Sequence, residues 1–294
     1  MPETPSLRGL IQDRAILVLP GVFDGLSARL VQHAGYPAAF VTGAGLAESR
    51  QGVPDIGLMG FAEALDGAAM MAAHTDLLLI ADADTGYGNA VNTYETVRRF
   101  ERAGLAGIMI EDQEWPKRCG HLAGKSVIAA DEMVQKVRAA VDARRDPGFV
   151  VEARTDAAGT HGLDEAIRRG NAYAKAGADL IFADALRTED DIARFAREVD
   201  APVCVNMGFG LRQRGTTPLV PARRLEQLGV AVVIYPRLLT SAALRGMSVA
   251  LDALGEAVRA DTVVERPGLQ LSFEDLNDLM GLGGFTALEQ RYAS

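Results

Sequence analysis

Short apolar runs recur along this chain, with room for one helix between most neighbouring pairs. They are AILVLP (15–20), AAFVTG (38–43), DLLLIADAD (76–84), LAGIMIED (105–112), GFVVEARTD (148–156), ADLIFADA (178–185), APVCVNMG (201–208) and VAVVIYP (230–236). Runs of this length, rich in Val, Ile, Leu and Ala, suit strands buried on both faces of a parallel sheet. Helical patterns lie between them: LSARLVQHAG (26–35), NTYETVRRFERAG (92–104), DEMVQKVRAAVDA (131–143), LDEAIRRGNAYAKAG (163–177), TEDDIARFAREVD (188–200) and PARRLEQLG (221–229). Several end in Gly, a common helix stop. Eight strands alternating with helices predict an α/β fold, a (β/α)₈ TIM-type barrel. The alternative is a doubly wound open sheet, which is disfavoured because no glycine-rich dinucleotide fingerprint follows the first strand.

The barrel is expected over residues 1–258. RADTVVERPGL (259–269) breaks the last helical pattern and leads into an apolar tail over 259–294. That tail needs a surface to cover, either its own barrel or a neighbouring subunit. The net charge of −9 disfavours a nucleic-acid partner. No run is long enough to span a membrane and no signal peptide is evident, so no membrane partner is expected. Two cysteines far apart, Cys119 and Cys204, read as reduced thiols in a cytoplasmic protein.

Polar residues gather at the carboxyl ends of the predicted strands: Thr42, Asp82 and Asp84, Glu111 and Asp112, Arg154 and Asp156, Asp184, Asn206 and Tyr235. In a barrel these ends converge on one face, where active sites lie. Asp82 and Asp84 point to one side if the strand continues through both. With Glu111 and Asp55 they form an acidic nest whose like charges a hard divalent ion would reconcile, and carboxylate oxygens suit Mg²⁺ better than zinc. The alternative is a pair of Asx-turns entering the glycine-rich loop. Arg154 reads as a planar cationic fork for a carboxylate, or as an internal ion-pair partner of Asp156 or Glu152. His33, His74 and His161 carry no assigned chemistry. WPKRCGH (115–121) follows strand four, so Cys119 lies above the acids on a glycine-containing loop that continues as HLAGKS. Neighbouring cations favour a thiolate, and such a thiol can give and retake a proton. A buried inert cysteine is the alternative.

In order along the chain, PGVFDGLSARL, FVTGAGLA, GVPDIGL, DADTGYG, IEDQ, PKRCGH, ARTDA and NM resemble the isocitrate lyase and phosphoenolpyruvate mutase superfamily. The KRCGH signature resembles its carbon–carbon-cleaving branch, typified by 2-methylisocitrate and 2,3-dimethylmalate lyases, and EDQEWPKRCGH is also similar to the plant petal death protein. The resemblance implies a barrel whose terminal helix is exchanged between paired subunits in a homotetramer, a dimer of dimers. It implies Mg²⁺, with Mn²⁺ as a substitute, near Asp82, Asp84 and Glu111, with Asp55 behind them. A di- or tricarboxylate substrate would be held by Arg154, by backbone amides of Thr42, Gly43 and Ala44, and by Asn206 and Asp184. Cys119 would be the general acid, tuned by Lys117 and His121. The implied reaction is cleavage of a substituted malate or related 2-hydroxy acid to pyruvate or glyoxylate and a carboxylic acid. The alternatives are an oxaloacetate-type decarboxylase or hydrolase, a phosphonate-processing mutase or hydrolase, and a non-catalytic dicarboxylate-binding barrel. The chain departs from the family in three places. Asp184 stands where many lyases have Glu. NMGFGLRQRGTTP (206–218) lacks a family Glu and brings Arg212 and Arg214. Phe40 replaces a Tyr of several tricarboxylate lyases.

Overall fold

A computed structural model describes residues 6–13, 15–120, 124–212, 215–263 and 265–293. Eight strands form one closed, all-parallel barrel: β1 (Leu17–Val22), β2 (Ala38–Val41), β3 (Leu78–Asp82), β4 (Gly107–Glu111), β5 (Val150–Thr155), β6 (Leu180–Ala183), β7 (Val203–Asn206) and β8 (Val232–Tyr235). The ring closes where Leu17 to Pro20 of β1 pair with Val232 to Tyr235 of β8. A helix follows each strand, and the six helical patterns expected from the sequence all fall on helices. Asp24 with Ser27, Asn89 with Asn92 and Thr188 with Asp191 start three of these helices with reciprocal caps that satisfy otherwise orphaned backbone donors.

Alternation along the strands divides the core in two. Leu19, Phe40, Ile80, Met109, Phe182, Cys204 and Ile234 fill the barrel interior. Their outward neighbours, among them Val41, Ala81, Ile110, Ala153, Ala183 and Val205, pack beneath the helices. Helix Leu7–Gln12 buries Leu7 and Ile11 within the interior cluster. Continuing the inward parity one step beyond Phe40, Ile80, Met109, Phe182 and Cys204 reaches Thr42, Asp82, Glu111, Asp184 and Asn206. The same alternation that builds the core therefore aims Thr42, Asp82, Glu111 and Asn206 into the barrel mouth.

The last barrel helix, Leu238–Arg259, behaves differently. Thr240 is its only buried residue, while Leu244, Met247, Leu251, Leu254 and Val258 form an exposed stripe at alternating spacings of three and four. Two further helices, Phe273–Leu279 and Leu282–Tyr292, bury none of their residues.

Candidate active site

The cleft at the carboxyl ends of the strands has an empty volume of about 500 Å³ including its mouth, with Phe40, Met109, Phe182 and Ile234 at its floor. Thr42, Ala44, Asp55, Asp82, Glu111, Lys117, Cys119, Arg154 and Asn206 line it together. Residues drawn from five strand ends and two loops thus share one concavity.

Asp82 ends β3 on the inward parity and accepts a hydrogen bond from the Asp84 amide at 3.0 Å. Asp84 does not continue the strand. It adopts φ 47°, and its carboxylate faces Lys117, whose Nζ lies 2.7 Å from Oδ1. The same ammonium pairs with Asp55. This corrects the expectation that Asp82 and Asp84 point to one side of a continuing strand: β3 ends at Asp82, the left-handed turn at Asp84 directs it toward the lysine, and it does not line the cleft. Among the described residues, no three acidic, histidine or cysteine side chains form a ready-made metal cage. Gly43 lies close against Asp82: a Cβ there would lie 2.8 Å from Asp82 Oδ2 and would push the carboxylate aside. The Thr42 hydroxyl caps the short helix Gly43–Leu46 by accepting from the Gly45 amide.

Burial pushes the Asp84 carboxyl up to about 6, helped by Asp82 and Asp55 and opposed by Lys117. Glu111 rises well above the carboxylate range for the same reason, despite Arg154. Its Oε1 is buried and unpartnered, as is Asn206 Oδ1. Burial draws Lys117 down, but Asp84, Asp82, Asp55 and Glu111 overcome this and hold it firmly protonated.

Arg154 is an internal ion-pair partner of Asp156, as one of its two readings expects. Its fork binds Asp156 in bidentate fashion, Nε to Oδ2 at 2.8 Å and Nη2 to Oδ1 at 3.0 Å, and its Nε lies 3.2 Å from Glu111. It also stacks over Phe182 and lines the cleft.

Sequence reasoning missed Lys125. From the loop after Cys119, its Nζ binds Asp156 at 2.6 Å, Asp184 at 2.8 Å and the Gly120 carbonyl at 2.9 Å. Asp184 is thereby tied to this ammonium and to Arg154, 3.6 Å away, and does not line the cleft. The only signal for Lys125 was its place on the same loop as Cys119. Arg237, at the cleft rim and paired with Glu48 at 2.7 Å, was also missed. Cys119 is partly buried, and its amide donates to the Asp55 carbonyl at 3.1 Å, joining two rims of the cleft. Arg212 is exposed and does not line the cleft, while His121 and Arg214 lie outside the described residues.

The sequence matches the family described as phosphoenolpyruvate phosphomutase over residues 7–254. It is 38% identical to a 2,3-dimethylmalate lyase from Eubacterium barkeri over 294 residues, covering 100% of this chain and 99% of the relative. The fold matches oxaloacetate acetylhydrolase bound to 3,3-difluorooxalacetate with TM-score 0.89 and 32% identity, covering 97% of this chain and 95% of that one. It matches phosphonopyruvate hydrolase in complex with oxalate and Mg²⁺ with TM-score 0.85 and 28% identity, covering 98% of both. Barrel, cleft and near full-length similarity agree, and the chain belongs to the phosphoenolpyruvate mutase and isocitrate lyase superfamily of enzymes.

Proposed function

We propose that this enzyme is a Mg²⁺-dependent carbon–carbon lyase that cleaves a substituted malate, or a related 2-hydroxy di- or tricarboxylate, to an oxoacid and a carboxylic acid. The observation that carries the reading is the Cys119 thiol in one cleft with Asp82, Glu111, Arg154 and Asn206. Full-length similarity to a 2,3-dimethylmalate lyase supports it.

The residues fit a hard divalent ion of the kind that keeps several waters and takes one or two protein carboxylates. Glu111 Oε1 is a buried oxygen without a partner, and Asp82 lines the same cleft. Asp82 and Glu111 would hold the ion, and Asp84 and Asp55 would act around Lys117. When bound, the ion supplies positive charge that eases loss of the substrate's 2-hydroxyl proton.

The chain's own groups account for the remaining requirements. Arg154 and the amides of Gly43 and Ala44 orient the oxoacid end, the Thr42 amide being held by the Val22 carbonyl, and the unpartnered Asn206 Oδ1 accepts a donor from the substrate. As the 2-hydroxyl proton passes to a cleft carboxylate, C2 becomes a carbonyl and the C2–C3 electron pair moves to the departing fragment. That fragment is an aci-carboxylate, stabilised by the fixed cations Lys117 and Arg154. The Cys119 thiol gives its proton to the new carbanionic carbon, with Lys117 and His121 tuning it.

The test is oxoacid release from 2-alkylmalates, 2-methylisocitrate and oxaloacetate, with and without EDTA, for wild type and Cys119→Ser. A hydroxy diacid should yield pyruvate or glyoxylate. EDTA should abolish the reaction, and the substitution should lower kcat by about 100-fold or more. Turnover of oxaloacetate alone, surviving the substitution, would move the protein to a hydrolase or decarboxylase reading, toward which the similarity to oxaloacetate acetylhydrolase points.

We also propose that the tail over 259–294 packs on a second copy, in a dimer of dimers. The exposed stripe on helix Leu238–Arg259 and the uncovered tail helices support this reading.

A further inference from the structure

The segment that carries the thiol is fastened on both sides of it. Ahead of Cys119, the Gln113 side chain brackets Arg118: its Nε2 donates to the Arg118 carbonyl and its Oε1 accepts from the Arg118 amide, each at 2.9 Å. The Cys119 amide donates to the Asp55 carbonyl. Behind the thiol, the Gly120 carbonyl accepts from Lys125 Nζ at 2.9 Å. The Gly120 backbone also lies against the strand-end charges: a Cβ there would come within 2.6 Å of Asp184 Oδ2 and 2.9 Å of Arg154 Nη2.

Of these fastenings, only Lys125 is charged. Its side chain is 6% exposed, and besides Gly120 its ammonium binds Asp156 Oδ1 at 2.6 Å and Asp184 Oδ2 at 2.8 Å. Burial draws the ammonium down, but Asp184 and Asp156 overcome this and hold it protonated. Asp156 Oδ1 is shared, because it also accepts from Arg154 Nη2 at 3.0 Å. One carboxylate thus holds both the cationic fork and the ammonium that fixes the Gly120 carbonyl.

We infer that Lys125 is a positioning residue: it clamps the Cys119–Gly120 backbone to the strand ends and, through Asp156, keeps the thiol in register with Arg154. A proton donor must lie within hydrogen-bond reach of the atom it serves, and small displacements of such groups are costly in rate. The value of the clamp to the reaction rests on the reading of Cys119 as proton donor given above. The clamp itself does not.

Cys204 is fully buried, so Cys119 is the thiol open to a reagent in the folded chain. The experiment follows alkylation of Cys119 by iodoacetamide in the full-length wild type, Lys125→Ala and Asp184→Asn across pH. The limiting rate at high pH is compared, because it reports access to the thiolate and not its ionisation. Lys125→Ala should raise that rate about tenfold, the local opening expected when charged hydrogen bonds are lost. Added n-propylammonium, which restores the missing methylenes and charge, should return the rate toward wild type, and neutral n-propanol should not. Asp184→Asn keeps the shape of the acceptor and removes its charge, so it should raise the rate about threefold. It tests the same clamp if the alanine variant does not fold. An unchanged limiting rate in either folded variant, or a rise in Lys125→Ala that n-propanol reverses as well as n-propylammonium, would overturn the proposal. None of these rates depends on turnover, so failure of the proton-donor reading would show separately, as activity that survives Cys119→Ser.

Discussion

Glu152 occupies the inward parity of β5, one step below Arg154, fully buried and with neither carboxylate oxygen hydrogen-bonded. Burial raises it from 4.5 to about 7, Asp82 adds to the rise, and Arg154 draws it back only in part. Below about pH 4.5 the folded and unfolded chains both hold this proton, and Glu152 costs nothing. Between 4.5 and 7 the unfolded chain releases the proton while the folded chain keeps it, so stability falls as pH rises. The full loss, reached above pH 7, is about 3 kcal/mol. Glu152→Gln should remove this slope, so urea denaturation at pH 4.5 and pH 8 should show the variant gaining about 3 kcal/mol relative to wild type at the higher pH. Equal slopes in the two proteins would rule out Glu152 as their source.

At the scale of elements, Asp112 joins β4, β5 and the helix Leu163–Lys175. Its carboxylate accepts from the Thr155 hydroxyl at 2.7 Å, the Asp156 amide at 2.9 Å, the Tyr173 hydroxyl at 2.8 Å and Arg169 at 3.0 Å. Asp156 in turn holds Arg154, so the junction orients the cationic fork without touching substrate. Asp112→Ala should cost about 3–5 kcal/mol, because it strands the buried Arg169 and several donors. Thermal denaturation measures it, and a loss under 1 kcal/mol would mean that water replaces the carboxylate.

This junction illustrates what could be read beforehand. The strands were legible because parallel strands buried on both faces must be continuous apolar runs. The converging polar ends were legible because barrel topology dictates where strand ends go. Asp84 was not: its direction depends on a left-handed residue in a loop, which alternation does not govern. Lys125 escaped for a similar reason, since its partners Asp156 and Asp184 lie on other βα units and only the closed ring brings them within reach.

At the scale of the whole molecule, the barrel has no free sheet edge, and no helix among the described residues is long and apolar enough to cross a membrane. What it leaves uncovered is the stripe from Leu244 to Val258 and the apolar residues of the tail, Phe273, Phe285 and Leu288 among them. Exposed apolar area of this extent is what the proposed association with a second copy would cover. Leu251→Glu combined with Leu254→Glu should convert the assembly to smaller species in sedimentation, with unchanged far-ultraviolet circular dichroism. An unaltered sedimentation coefficient would place the contact elsewhere.

The uncovered stripe has a consequence for the chain's persistence in a cell. Partner binding stabilises a folded chain in proportion to the logarithm of partner concentration, and in the proposed assembly the partner is the same gene product. A newly made copy that finds no companion presents an apolar helix and an unanchored end to any protease nearby. Scarce chains would thus be cleared faster than abundant ones, so the protein's level would respond more than proportionally to its rate of synthesis.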